Sequence, residues 1–168
     1  MRIAVTGTPG TGKTTATDRL DTTLEIVHLN DLVREERLSV GQDETRGSLI
    51  ADLEAIAARL GDRDDVLVES HLAHHLDVDR VVVLRCHPTE LEIRLLDRGA
   101  DEPKARENAE AEALDIVLAE AVDKHGFDRI YEIDTTDRDP DAVAADIAAV
   151  IDGTRQPSAG DVDFTECL

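Results

Sequence analysis

Gly7-Thr8-Pro9-Gly10-Thr11-Gly12-Lys13-Thr14 fits the pattern G-x-x-x-x-G-K-[ST] at every fixed position and stands directly behind the apolar run Ile3-Ala4-Val5. Glycines at these places let the backbone curl so that successive N–H groups face an anion. The lysine reaches the terminal phosphates of a nucleotide, and the threonine hydroxyl suits Mg²⁺. Residues 2–6 read as a buried parallel strand and Thr14 to Leu20 as the helix whose positive end faces the phosphates. Strand, loop and helix follow in the order a phosphate-binding loop requires.

Working outward, Glu25-Ile26-Val27-His28 reads as a second strand, and Asn30 to Arg37 as a short helix with a polar start. Leu38 to Gly47 lacks periodicity and is expected to be a mobile loop. Leu49, Leu53, Ile56, Ala57 and Leu60 recur at helical spacing up to Gly61, which predicts an amphipathic helix. Val66-Leu67-Val68 is a strand that delivers the Glu69 carboxylate to its carboxyl end, where ligands of open α/β sheets bind. Val81 to Leu84 is a fourth strand. Pro88 opens and Gly99 closes the next helix. Lys104 to Lys124 reads as continuously helical, Ile130 to Ile133 as the fifth strand, and Asp139-Pro140 as the start of a last helix that ends at Gly153. Thr154 to Leu168 is expected to be a poorly ordered acidic tail. Five strands alternating with helices predict an α/β fold with a parallel sheet covered on both faces.

Length and composition agree with a single domain. The chain has 168 residues, long enough to bury a sizeable core. Its aromatic content is 2%, so that core must be aliphatic, as in a covered parallel sheet. The formal net charge is −20, from 38 acidic and 18 basic residues, which argues against DNA binding. Such a surface self-repels at low salt and suits high ionic strength, where the Debye length is about 3 Å at 1 M. A halophilic cytoplasm is therefore the expected setting. Two cysteines, Cys86 and Cys167, make no disulfide framework. Neither an export signal nor a membrane-spanning run is expected, since no stretch approaches the roughly 20 apolar residues needed. A small GTPase is disfavoured because there is no N-K-x-D or T-K-x-D guanine motif.

With these motifs read, residues 1 to about 152 resemble the small adenylate-kinase-type NTPases of archaea and eukaryotes that double as small-ribosomal-subunit maturation factors. The resemblance rests on the phosphate loop, on Asn30-Asp31-Leu32-Val33-Arg34-Glu35-Glu36, on Glu69-Ser70-His71, and on the segment from Arg98-Gly99 to Glu112. It implies a nucleoside monophosphate kinase core of five parallel strands, with a monophosphate-binding insertion at about 28–51 and a lid at about 97–107. It further implies Mg²⁺-dependent transfer of the ATP γ-phosphate to AMP or a similar acceptor, with ATPase activity when water takes the acceptor's place. The alternative it carries is an ATP-driven assembly factor that transiently binds a small-subunit ribosomal protein of the S-eleven family.

On this resemblance Gly10, Gly12, Lys13, Thr14, Thr15 and Arg98 hold ATP, Asp31 and Arg34 hold the acceptor, and Arg98, Lys104 and Asn108 belong to the lid. Lys13, Arg98, Glu69 and His71 are the catalytic candidates, and Thr14 with Glu69, through water, the Mg²⁺ candidates. Two departures stand out: Asn30 replaces a usual Gly, and Glu69 replaces the usual Asp of D-x-H. Phosphoryl transfer needs positioning and charge neutralisation more than covalent chemistry, so Arg94 joins the basic candidates. His71, His74 and His75 have spacing that also suits a metal, but no further ligand accompanies them, and a polar loop is the simpler account. Glu110, Glu112 and Glu120 read as a solvated helix face.

Overall fold

The computed structural model describes residues 1–44 and 49–168. In chain order the elements are β1 (Arg2–Thr6), α1 (Lys13–Asp18), β2 (Glu25–His28), α2 (Leu29–Glu35), β3 (Ser39–Gln42), β4 (Leu49–Ala51), α3 (Leu53–Leu60) and β5 (Val66–Glu69). They continue with β6 (Arg80–Arg85), α4 (Pro88–Asp97), α5 (Glu102–Ala113), α6 (Ile116–His125), β7 (Ile130–Asp134) and α7 (Pro140–Asp152). Five strands form one parallel sheet in the order β2-β5-β1-β6-β7, the α/β architecture expected. β1 is central, so the glycine-rich loop leaves the middle of the sheet's carboxyl edge, flanked by the ends of β5 and β6.

Strand alternation divides the core. Ala4, Val66, Val68, Val81, Val83 and Ile130 face α2, α3 and α6, while Ile3, Val5, Leu67, Val82, Leu84 and Ile133 face the opposite layer with α1 and α7. Both faces are covered, which is why these strands are almost continuously apolar.

Several elements differ from the sequence reading. Leu49 to Ala51 is not the first turn of a helix: it pairs antiparallel with β3 in a small hairpin, and α3 starts only after Asp52, whose carboxylate accepts the Ala55 N–H at 3.0 Å. The expected loop at Leu38 to Gly47 therefore contains β3, while its last three residues, Thr45 to Gly47, lie outside the described residues. The expected single helix from Lys104 to Lys124 is broken at Asp115, which adopts a left-handed backbone (φ 54°).

The tail is also ordered rather than loose. Glu132 Oε2 accepts the Gly160 N–H at 2.7 Å and the Val162 N–H at 3.3 Å, and Phe164 is buried against Arg85 and His87. A carboxylate in the middle of the edge strand β7 and one aromatic ring supply what the tail's own composition does not.

Candidate functional site

The loop is built by close approach. A Cβ on Gly7 would lie 2.5 Å from the Leu84 carbonyl oxygen, and one on Gly10 would lie 2.9 Å from Leu91 of α4. With φ at 147° and 93°, neither position accepts a side chain. Thr135 clasps the loop from β7's end: its hydroxyl lies 3.0 Å from the Thr11 carbonyl and 2.9 Å from that of Arg85.

Beside the loop opens a cleft of about 930 Å³, walled by Gly10 to Thr15, Asn30, Glu69, His71 and the segment from Arg94 to Lys104. Of the expected site residues, Gly10, Gly12, Lys13, Thr14, Thr15, Glu69, His71, Arg98, Lys104 and Asn108 all line it, as does Arg94. Asp31 and Arg34 do not. α2 turns Leu29 and Val33 toward the sheet, which sets Asp31 and Arg34 on its outer face, 3.7 Å apart, with Arg34 67% exposed. Asn30 reaches the cleft instead, its side-chain oxygen accepting the Ser70 hydroxyl at 3.3 Å.

Lys13 is buried, and its ammonium donates to the carbonyls of Gly7 at 2.9 Å and Thr8 at 3.1 Å. Burial pulls its pKa down to about 8, against the pull of Glu69 and Glu112, with Arg98 adding to the depression. The folded protein thus binds the Lys13 proton less tightly than the unfolded chain, so the energetic cost is fully present below pH 8 and is relieved as pH rises toward the ordinary value of 10.5. Two opposite trends are expected above pH 8: thermal stability without nucleotide increases, while ATP affinity weakens by up to about tenfold per pH unit as the ammonium is lost. Melting curves and equilibrium ATP titrations from pH 7 to 10 check both.

Glu69 ends β5 almost fully buried. Its carboxylate accepts the Thr14 hydroxyl at 3.3 Å and is 2.7 Å from His28 Nδ1. His71 is partly buried beside it, and burial, followed by the charges of Lys13, His74 and His75, lowers its pKa to about 4. At neutral pH it is therefore an uncharged imidazole, suited to orienting a hydroxyl or water rather than to pairing with phosphate.

Three residues that hold this site were not found from the sequence. His28 and Thr135 carry no motif. Glu112, expected on a solvated face, is 2% exposed: it accepts the Thr8 hydroxyl at 2.6 Å, Arg85 Nε at 2.8 Å and the Cys86 N–H at 3.0 Å. Arg85 is 1% exposed and also pairs with Asp115 and, at 2.5 Å, with Glu132. Burial opposes its charge, but the three carboxylates more than offset this and raise its already high pKa. Glu112 follows Lys104 and Asn108 at four-residue steps, so one edge of α5 walls the cleft and is anchored to the loop.

Comparison with known proteins agrees with this fold. Residues 3–115 match the family described as AAA domain. The chain is 63% identical over 168 residues to a Natronomonas pharaonis protein described as "Putative adenylate kinase", with all of both chains covered. It is 64% identical over 167 residues to a Halobacterium salinarum protein of the same description, covering 99% of each. Shikimate kinase from Bacteroides thetaiotaomicron shares the fold, with a TM-score of 0.58 at 17% identity over 90% of this chain and 98% of that one.

Proposed function

The chain belongs to the AAA-domain family and to the family of these archaeal proteins described as "Putative adenylate kinase", and we propose that it transfers the γ-phosphate of ATP to AMP or a similar nucleoside monophosphate. The observation that carries this reading is the gathering of Lys13, Arg94, Arg98 and Lys104 around one cleft in a chain of net charge −20. An acceptor phosphate oxygen attacks the γ-phosphorus, the bond to the β,γ-bridging oxygen breaks, and ADP leaves. Lys13 and the loop amides hold the donor's terminal phosphates. The lid, at about 97–107, comprises the Gly99 turn and the first half of α5, and its closure brings Arg98 and Lys104 onto the migrating group.

Thr14 and Glu69 present neighbouring oxygens, and an oxygen set of this kind fits Mg²⁺. The ion, when bound, offsets charge on the β- and γ-phosphates. Glu69 would hold it through water, with His28 orienting the carboxylate.

Arg34 is the expected acceptor grip, and in the proposed cycle the insertion at about 28–51 must rotate to bring it to the cleft. Its outward position favours a second reading, an ATPase that gates transient capture of a basic small-subunit ribosomal protein. One assay separates the two. Kinase activity predicts ADP formation from ATP that rises at least tenfold with AMP, and loss of that stimulation in Arg34→Ala with ATP affinity unchanged. An AMP-independent rate equal to the stimulated one would discard the kinase and leave the ATPase.

A further inference from the structure

The 3-10 turn Ala73–His75, just beyond Ser70 and His71, packs against α6 and brings together two imidazoles and a carboxylate that the phosphotransfer scheme leaves unused. His74 Nε2 lies 2.9 Å from Glu120 Oε2, and His75 Nε2 lies 3.7 Å from the same oxygen. Ligand atoms at adjacent corners of a zinc tetrahedron, with bonds of about 2.0–2.1 Å, stand roughly 3.3 Å apart, so these spacings bracket the required one. We propose that His74, His75 and Glu120 bind a single late first-row divalent cation, with Zn²⁺ the best fit, and leave the fourth position to water.

Two further features suit the role. His74 is 1% exposed, and its other ring nitrogen, Nδ1, is 2.8 Å from the Thr6 hydroxyl. A cation on Nε2 puts the ring proton on Nδ1, where the Thr6 oxygen accepts it, the outer partner that fixes the tautomer and orientation of a ligating histidine. His125 Nε2, 2.7 Å from the His74 carbonyl oxygen, holds the turn's backbone. His75 and Glu120 are partly exposed and give the ion a way in. Imidazole and carboxylate select zinc-like ions over Mg²⁺, which keeps an all-oxygen shell, so this site is distinct in chemistry from the one beside Thr14. A bound cation would cross-link the turn that follows His71 to α6, and through Thr6 to the strand that feeds the phosphate loop.

The test titrates the full-length, nucleotide-free protein with ZnCl₂ in high-salt, chelator-free buffer, reading stoichiometry by calorimetry and thermal stability in parallel. One Zn²⁺ per chain and a higher melting temperature are expected. His75→Ala and Glu120→Gln, both at partly exposed positions, should each weaken binding by at least about tenfold, and Cys167→Ser should leave it unchanged. Absence of saturable binding at millimolar Zn²⁺ overturns the proposal. So does affinity that survives both variants, or that is lost with Cys167→Ser, since His87, Glu166 and Cys167 form a second cluster of donors.

Discussion

Replacing Lys13 by methionine is expected to lower phosphoryl transfer by about 10³-fold, the scale on which a preorganised donor to developing charge is felt, and at the same time to raise the melting temperature. The two effects share one origin. The ammonium is held in a buried place where its pKa falls to about 8, so keeping it charged at pH 7 costs the protein up to about 3 kcal/mol in the absence of a phosphate. Methionine keeps the stem's volume without that cost. The hydrogen bonds lost to the Gly7 and Thr8 carbonyls return part of the gain, leaving an expected rise of a few degrees. Steady-state ADP formation and calorimetric melting measure the pair. A variant that is inactive but also melts lower would show that the ammonium supports the empty loop instead of straining it.

The second large effect is expected at Arg85. This guanidinium is the shared cation for Glu112, Glu132 and Asp115, the first two of them buried. Arg85→Met strands two carboxylates in a place that water does not reach. Removing one partner of a buried ion pair costs about 3–5 kcal/mol, which for a domain of this size lowers the melting temperature by about 10 °C. Arg85→Lys keeps the charge but not the fork that meets Glu112, Glu132 and Asp115 together, so it should recover only part of the loss. A fall of less than about 2 °C in the methionine variant would mean that the cluster contributes little to stability.

The two variants mark what the amino-acid order reveals and what it conceals. Lys13 can be placed in the loop from the sequence because the motif is local: eight consecutive residues impose their geometry on one another, and the strand before and helix after them are equally local. Arg85 and Glu112 lie 27 positions apart and meet only because the fold brings the end of β6 beside the end of α5. Glu112 sits among alanines and acids in a segment with no marked polar or apolar face, so nothing in its neighbourhood distinguishes it from the solvated Glu110. The break at Asp115 has the same cause, since the backbone there turns left-handed while its carboxylate pairs with Arg85. The tail departs from its compositional expectation for a related reason. Its composition is that of a disordered segment, but its order comes from Glu132 and from the site taken by Phe164. Within the cleft, the residues expected from the phosphate loop, Glu69, His71 and the lid all line the wall. Asp31 and Arg34 do not, because their outward orientation follows from which face of α2 the sheet covers.

The enclosure of the Arg85 cluster separates two kinds of charge in this protein. Dissolved salt relieves the mutual repulsion of the acidic exterior but cannot enter the space beneath α5, where Arg85, Glu112 and Glu132 are out of reach of mobile ions. Ionic strength can therefore tune how tightly the whole chain holds together while leaving the clamp on Thr8, and with it the shape of the phosphate cradle, at one fixed setting.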